Sequence, residues 1–140
     1  MAEQPPGEAS RAMSGDSAFA HAVGLELDEV GPTRVVGHID LGPEHHQPMG
    51  LVHGGVYCAA VEAAASVGAG LSAMERGLGV VGVNNNTHFV AGISEGRVTV
   101  VAEPIVQGRT QQLWTVDIRR ASDGRLVATG QLRVQNIEPR

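Results

Sequence analysis

The chain is poor in cysteine, in aromatic residues and in positive charge, and each shortage excludes a class of protein. Its single cysteine, Cys58, permits neither an intramolecular disulfide nor a cysteine-rich metal site, which is typical of a reducing compartment. Lys and Arg number 10 against 15 Asp and Glu, so the net charge of −5 argues against a nucleic-acid partner. The first residues contain no apolar run, and we therefore expect no secretory signal peptide and a cytoplasmic location.

Long apolar segments are also missing, with one exception at residues 52–74. That segment carries Glu62 near its centre, and a carboxylate is costly in the middle of a bilayer. We interpret the segment as the buried helix of a soluble protein and expect no membrane span. The 140 residues predict a single domain over 13–140, after a tail over 1–12 whose Pro, Glu and Ser residues predict disorder.

The pattern of apolar residues predicts one long helix among six strands. Strands are expected over 25–30, 34–41, 80–90, 97–106, 110–120 and 125–134, the long helix over 52–76, and a short helix over 17–23. Gly77 and Gly79 end the long helix, and a loop fills 42–51. Since this helix is apolar all round, it needs cover on every side. A curved antiparallel sheet wrapped around it gives that cover, which makes the fold class α+β.

The last three strands alternate at period two, which predicts an antiparallel meander. In each of these strands, alternate residues are predicted to share one face. Its members are Val98, Val100, Ala102 and Val106 in the first strand, Gln112, Trp114, Val116 and Ile118 in the second, and Leu126, Ala128, Leu132 and Val134 in the third.

Glu62 has only small apolar neighbours, and no Lys or Arg lies within a turn of it in the sequence. A carboxylate in such a helix is expensive to bury unless it is paired or hydrogen-bonded. Glu62 is therefore a candidate catalytic base or nucleophile. The alternative is an exposed glutamate on a solvated helix face.

The triplet His53-Gly54-Gly55 stands where the long helix begins. Free N–H groups at a helix N-terminus can bind the oxyanion that develops when an acyl carbonyl is attacked, and glycine allows close approach to them. Simple loop flexibility is the alternative reading. Gly54 and Glu62 are eight residues apart, or about 12 Å along a helix, so one carbonyl is unable to touch both in one chain. If both are catalytic, a homodimer with two shared sites is the natural arrangement.

Two polar side chains are secondary candidates. Ser66 lies one turn after Glu62 and could orient it or the attacking water, or could bond back to a helix carbonyl. Gln47 could hydrogen-bond the substrate carbonyl or Glu62, or could satisfy nearby loop backbone. His45, His46 and His88 lack metal-ligand spacing.

The segment His-Gln-Pro-Met-Gly-Leu-Val-His-Gly-Gly at 46–55, followed by Glu62, resembles the HGG-motif hotdog-fold acyl-CoA thioesterases of the phenylacetate-degradation type. Weaker matches follow at 86–89, 108–110 and 123–130. The resemblance implies a hotdog fold, a homodimer or homotetramer, and hydrolysis of acyl-CoA without a metal or organic cofactor.

By the same resemblance, Glu62 matches the catalytic carboxylate, and Gly54, with Gly55 beside it, matches the N–H that polarises the thioester carbonyl. Gln47 and Ser66 match the supporting amide and hydroxyl. His53, Asn86 and Arg109 are then substrate-binding candidates. The alternatives are a structural or orienting role for His53 and a solvated turn arginine for Arg109. Arg109 is a candidate for a coenzyme A phosphate because Ala91-Gly92 stands where relatives often have Arg-Pro.

Two other functions remain open. One is a hotdog hydratase, although its Asp and His pair is not found. The other is a non-catalytic acyl-CoA or acyl-carrier binding module, against which Glu62 argues. The acyl group is also open, since the four aromatic residues do not separate aryl from short or medium aliphatic chains.

Overall fold

A computed structural model describes residues 17–139, so the predicted disordered tail lies outside the described residues. The short helix α1 covers Ala18–Val23, with Ser17 as its N-cap, and the long helix α2 covers Gly54–Met74. The strands are β1 (Glu26–Gly31), β2 (Arg34–Leu41), β3 (Gly79–Phe89), β4 (Gly96–Gln107), β5 (Gln111–Arg120) and β6 (Leu126–Ile137). Each predicted element is present with ends shifted by three residues or fewer, and a 3-10 turn at Pro43–His45 interrupts the predicted loop.

The six strands form one antiparallel sheet in the order β1-β2-β4-β5-β6-β3. The predicted meander is β4-β5-β6. The sheet therefore ends in two edge strands, β1 on one side and β3 on the other. This is the predicted α+β hotdog arrangement, with the curved sheet packed around α2.

The concave face of the sheet packs on α2 through small helix residues, which allow close approach. A Cβ on Gly68 would collide with the fully buried indole of Trp114. The indole N–H donates to Gln112 Oε1 at 3.0 Å, and the Gln112 amide donates to the Ala69 carbonyl, also at 3.0 Å. The buried Gln112 thus satisfies polar groups of both the sheet and the helix.

The core face of β5 matches the prediction, because all four of its predicted residues are buried. In β4, Val98, Val100 and Ala102 are buried, but Val106 is 54% exposed and that part of the prediction is wrong. The register of β4 against β5 shifts between Pro104 and Val106. Such an irregularity changes which side chains face the core, and it points Val106 outward.

The sheet does not close around α2. Both edge strands contact the helix, yet Gly55, Glu62 and Ala63 on the helix face between them are exposed. We call the opening between β1 and β3 the slot. The expectation that Glu62 is buried is therefore wrong for the single chain, because the sheet ends before it covers this face. The rest of α2, although long and apolar enough to span a membrane, lies mostly inside the sheet.

Candidate active site

The loop before α2 is held by two histidines, which explains their place in the sequence. His45 is buried and accepts a hydrogen bond from the Gly42 N–H at Nδ1, so its Nε2–H donates to the Val23 carbonyl at 2.9 Å. His46 Nε2 lies 2.6 Å from the Ser94 carbonyl oxygen. Both side chains therefore bind backbone carbonyl groups. Across residues 17–139, no group of His, Cys, Asp and Glu has the geometry of a metal site.

The N-terminus of α2 presents one open N–H group. His53 is the N-cap, and its Nδ1 accepts a hydrogen bond from the Gly55 N–H at 2.8 Å. The Val56 N–H donates to the His53 carbonyl. The Gly54 N–H, in contrast, has no acceptor within residues 17–139. Of the two predicted donors, the one at Gly54 is available to a ligand, whereas the one at Gly55 is engaged by the cap.

Gln47 lies beside this N–H group in a tight turn. Its backbone N–H donates to the Leu51 carbonyl at 2.8 Å, and Gly50, with φ of 83°, allows the chain to reverse. Its side-chain oxygen accepts a hydrogen bond from the Met49 N–H, which leaves the side-chain NH₂ free to donate. Gln47 and Gly54 line one cleft of about 250 Å³, which we call the Gly54 cleft.

Tyr57 also lines the Gly54 cleft, although no motif in the sequence marks it as a site residue. The side chain is 97% buried (3% exposed), with its ring centroid 6.2 Å from that of Phe89. Burial raises the pKa of its hydroxyl to about 12. The signal in the sequence was weak: Tyr57 is the only tyrosine and stands three residues after Gly54.

Glu62 and Ser66 line a second cleft, of about 270 Å³, which we call the Glu62 cleft. Its walls come from α1, β1 and α2 and are largely apolar; they include Phe19, Ala20, Val23, Leu25, Leu27, Ala59, Ala63 and Val67. Within the described chain, neither the Glu62 carboxylate nor the Ser66 hydroxyl makes a hydrogen bond. Both groups are therefore available for chemistry or binding.

The two clefts are separate, and no residue lines both. Gly54 and Glu62 lie about 12 Å apart along α2, as the spacing predicts. One chain thus presents an open backbone N–H in one cleft and a carboxylate in the other.

Asn86 is exposed on β3 and lines neither cleft. Its neighbour Asn85 instead donates to the Cys58 carbonyl at 2.9 Å and accepts from the Thr87 hydroxyl at 2.7 Å. The run of asparagines is explained in part, because Asn85 joins the edge strand to α2 one turn before Glu62.

The profile of the thioesterase superfamily matches residues 49–127 of the chain. This range begins within the turn at Gln47 and contains all of α2, including the helix residues that line the two clefts. The chain belongs to the thioesterase superfamily. It is therefore a thioester-hydrolysing enzyme of the hotdog fold.

Relatives of this thioesterase cover between 69% and 98% of the chain. A Mycobacterium tuberculosis protein named as an esterase is 45% identical over 139 residues, or 98% of this chain and 99% of the relative. Its solved structure has a TM-score of 0.84 and covers 89% of this chain and 99% of its own. A thioesterase structure from Haemophilus influenzae has a TM-score of 0.83 at 29% identity, covering 97% of this chain and 93% of that one. A 1,4-dihydroxy-2-naphthoyl-CoA hydrolase of Listeria monocytogenes is 35% identical over 96 residues, or 69% of this chain and 77% of the hydrolase.

Arg109 of the thioesterase is placed far from the Gly54 cleft. It lies in the turn between β4 and β5, and the guanidinium of Arg76 donates to the neighbouring Gly108 carbonyl at 3.0 Å. That turn is therefore beside the C-terminal end of α2, about 30 Å along the helix from Gly54. A contact between Arg109 and a coenzyme A phosphate stays a prediction for a residue that lines neither cleft.

Proposed function

We propose that this thioesterase hydrolyses acyl-coenzyme A in sites shared between two copies of the chain. The observation that carries the proposal is the separation of the two reactive groups: the Gly54 N–H and the Glu62 carboxylate open into different clefts. A two-fold homodimer would bring Gly54 of one copy to Glu62 of the other, and would do so twice. The naphthoyl-CoA hydrolase among the relatives supports a coenzyme A thioester as the substrate.

The slot supports the dimer. β3 is an edge strand of 11 residues, and its Val81 and Val83 are about half exposed. A long edge strand with exposed apolar side chains is a template for pairing with another strand. The exposed helix residues Gly55 and Ala63 are small, so a second copy could approach α2 closely there. A homotetramer would pair two such dimers and leave these sites unchanged.

The chemistry follows from the groups that meet in such a site. The Gly54 N–H and the Gln47 NH₂ donate to the thioester carbonyl oxygen and stabilise the negative charge that develops on it. Glu62 of the partner subunit either attacks the carbonyl carbon or takes a proton from a water molecule that attacks. If water attacks, the bond from carbon to sulfur breaks and the proton taken by Glu62 passes to the sulfur, which gives the carboxylic acid and the free thiol. If Glu62 attacks, the same bond breaks to give a mixed anhydride of Glu62 and a thiolate that takes up a proton from water. A second water molecule then hydrolyses the anhydride to the carboxylic acid and restores Glu62. Ser66 lies where its hydroxyl can hold the water or the carboxylate.

The Glu62 cleft is the part of this arrangement that binds the acyl group. The Glu62 cleft is apolar and opens beside the carboxylate, so it suits a hydrocarbon, either aliphatic or aryl. Gly55 and His53 take a supporting role, because their mutual hydrogen bond fixes the start of α2 and hence the direction of the Gly54 N–H.

The test is thiol release from a panel of acyl-CoA substrates by the wild-type protein and by Glu62→Gln. We expect the substitution to lower turnover by on the order of 10² to 10⁴. Glu75→Gln is the matched control, since Glu75 is the exposed C-cap at the other end of the same helix. Binding of acyl-CoA without thiol release would contradict hydrolysis and favour the binding module. Near-normal turnover in a folded Glu62→Gln protein would exclude Glu62 as the catalytic carboxylate.

A further inference from the structure

Tyr57 carries the one buried side-chain polar atom without a hydrogen-bond partner among residues 17–139. Buried hydroxyl groups in proteins are normally hydrogen-bonded, and leaving one unpaired costs free energy. An apolar ring, such as that of phenylalanine, would fill the same space without this cost. The hydroxyl therefore needs an explanation, and a ligand that supplies the missing partner is one.

The position of Tyr57 indicates which ligand. Its side chain lines the Gly54 cleft together with Gln47, Gly54 and Phe89. The hydroxyl is covered in the free chain, but Phe89, the last residue of the edge strand β3, is 58% exposed. Its ring tip stands directly against Gly54, where a Cβ would collide with it. Because the ring is exposed on its other side, its rotation away from Gly54 would open the cleft at the point where the thioester carbonyl is proposed to bind.

The two arms of a thioester leave its carbonyl carbon in different directions. The hydrocarbon arm fits the apolar Glu62 cleft of the partner subunit. The thiol arm then lies in the Gly54 cleft. In coenzyme A, and in acyl-carrier thioesters, that arm is pantetheine, whose first amide is separated from the sulfur by two methylene groups. An amide buried in an apolar cleft needs a hydrogen-bond partner, and the Tyr57 hydroxyl is unpaired there.

We propose that the Tyr57 hydroxyl binds the first amide of the pantetheine arm, an inference that rests on the proposed function. Tyr57 is then a substrate-binding residue that recognises the carrier of the acyl group, whatever the acyl group is. It takes no part in the bond-breaking step. Its substitution should affect KM and leave kcat unchanged.

The experiment compares wild type and Tyr57→Phe on three thioesters of one acyl group. Coenzyme A and N-acetylcysteamine thioesters both contain the first amide, whereas the n-pentanethiol thioester has the same length as the N-acetylcysteamine arm without it. We expect Tyr57→Phe to raise KM about three- to tenfold on the first two, the usual effect of one uncharged hydrogen bond. On the amide-free thioester the two proteins should have the same KM. Phe19→Leu is the control, because Phe19 lies in the wall of the Glu62 cleft. Its ratio of rates on the N-acetylcysteamine and n-pentanethiol thioesters should equal the ratio for wild type.

Thermal unfolding separates this role from a structural one. Since the hydroxyl has no partner in the described chain, Tyr57→Phe should not lower Tm. A lower Tm together with an equal defect on all three thioesters would overturn the inference, because the hydroxyl would then bond within the protein assembly. An unchanged KM on all three would overturn it as well, as would a defect that followed the acyl group. None of these results would affect the proposed function, which fails only if the wild type releases no thiol from acyl-CoA.

Discussion

The carboxylate of Glu62 lies against Gly82 in β3, where a Cβ would stand 3.6 Å from Glu62 Oε1. Because β3 is an edge strand, the Glu62 carboxylate lies at the edge of the sheet and faces out through the slot. The Gly54 N–H lies two turns away on the same helix. This arrangement makes the shared site the first point to test.

Mixing two inactive variants tests whether a site takes residues from both copies. Glu62→Ala removes the carboxylate. Gly54→Pro removes the N–H, and proline is well tolerated at the first position of a helix. The Gly54→Pro chain also carries Phe89→Ala, because an added Cβ at residue 54 would collide with the Phe89 ring. Random exchange makes about half of the dimers mixed, each with one intact site, so roughly a quarter of the reference activity should return.

Wild type supplies the reference activity for this mixture, because the intact site of a mixed dimer takes its Gly54 cleft, with Phe89, from the Glu62→Ala chain. Mass spectrometry of the mixture should establish that subunits have exchanged. Exchange without any return of activity would show that each site is built within one chain, provided that both variants are folded and dimeric.

Acyl-chain length tests the role of the Glu62 cleft. Each buried methylene contributes about 0.8 kcal/mol, so kcat/KM should rise about fourfold per methylene until the cleft is full. Val67→Phe fills the cleft and should shift the optimum to shorter chains without a loss on the shortest. Val101→Phe makes the same change on the outer face of the sheet and should keep the wild-type profile. The same optimum in a folded Val67→Phe protein would place the acyl group elsewhere.

The contact of Gly68 with Trp114 predicts a large stability effect from one methyl group. Gly68→Ala should lower the free energy of unfolding by about 1–3 kcal/mol, because the buried indole has no room to move. This loss opposes the gain of about 1 kcal/mol that alanine usually brings to a helix. Ser72→Ala, one turn later, is the control for helix propensity and should be neutral or stabilising. In a Trp114→Phe background the Gly68→Ala cost should shrink; denaturant unfolding that showed the same cost in both backgrounds would contradict the contact.

Tyr57 predicts how the protein responds to alkali. Burial raises the pKa of its hydroxyl from 10.0 to about 12, so the folded state favours the neutral form. The resulting stability is complete below pH 10 and is lost as the pH rises through 12. Because Tyr57 is the only tyrosine, near-ultraviolet absorbance of tyrosinate reports its ionisation alone. We expect Tyr57→Phe to remove this part of the fall in Tm between pH 10 and 12. A tyrosinate midpoint near 10 in the folded protein would be the contrary result.

The sequence predicts most of the fold because its signals are periodic and local. The alternation from Gln112 to Ile118 marks the core face of β5, and the glycines after Met74 end α2. The exposure of Val106 was not predictable in this way, since a register shift interrupts the alternation without a change in composition. The exposure of Glu62 was missed for another reason: it depends on where the curved sheet ends, which no local pattern records.

The candidate site was predictable only where its residues are close in sequence. Gly54 and Glu62 share one helix, which begins after the N-cap His53, so their spacing alone predicts a shared site. The engagement of the Gly55 N–H by His53 and the unpaired hydroxyl of Tyr57 depend on side-chain directions. Both required the three-dimensional structure, as did the distance between Arg109 and the Gly54 cleft.

The slot has a consequence for how the enzyme is switched on. If the sheet left no opening, each chain would be complete as soon as it folded. With the opening, and with the shared sites that we propose, a newly made chain would hold half of each of two sites and would have no activity until it meets a second copy. At high dilution the rate should therefore grow with the square of the chain concentration, so that the amount of protein in the cell, and not only the amount of substrate, decides when hydrolysis begins.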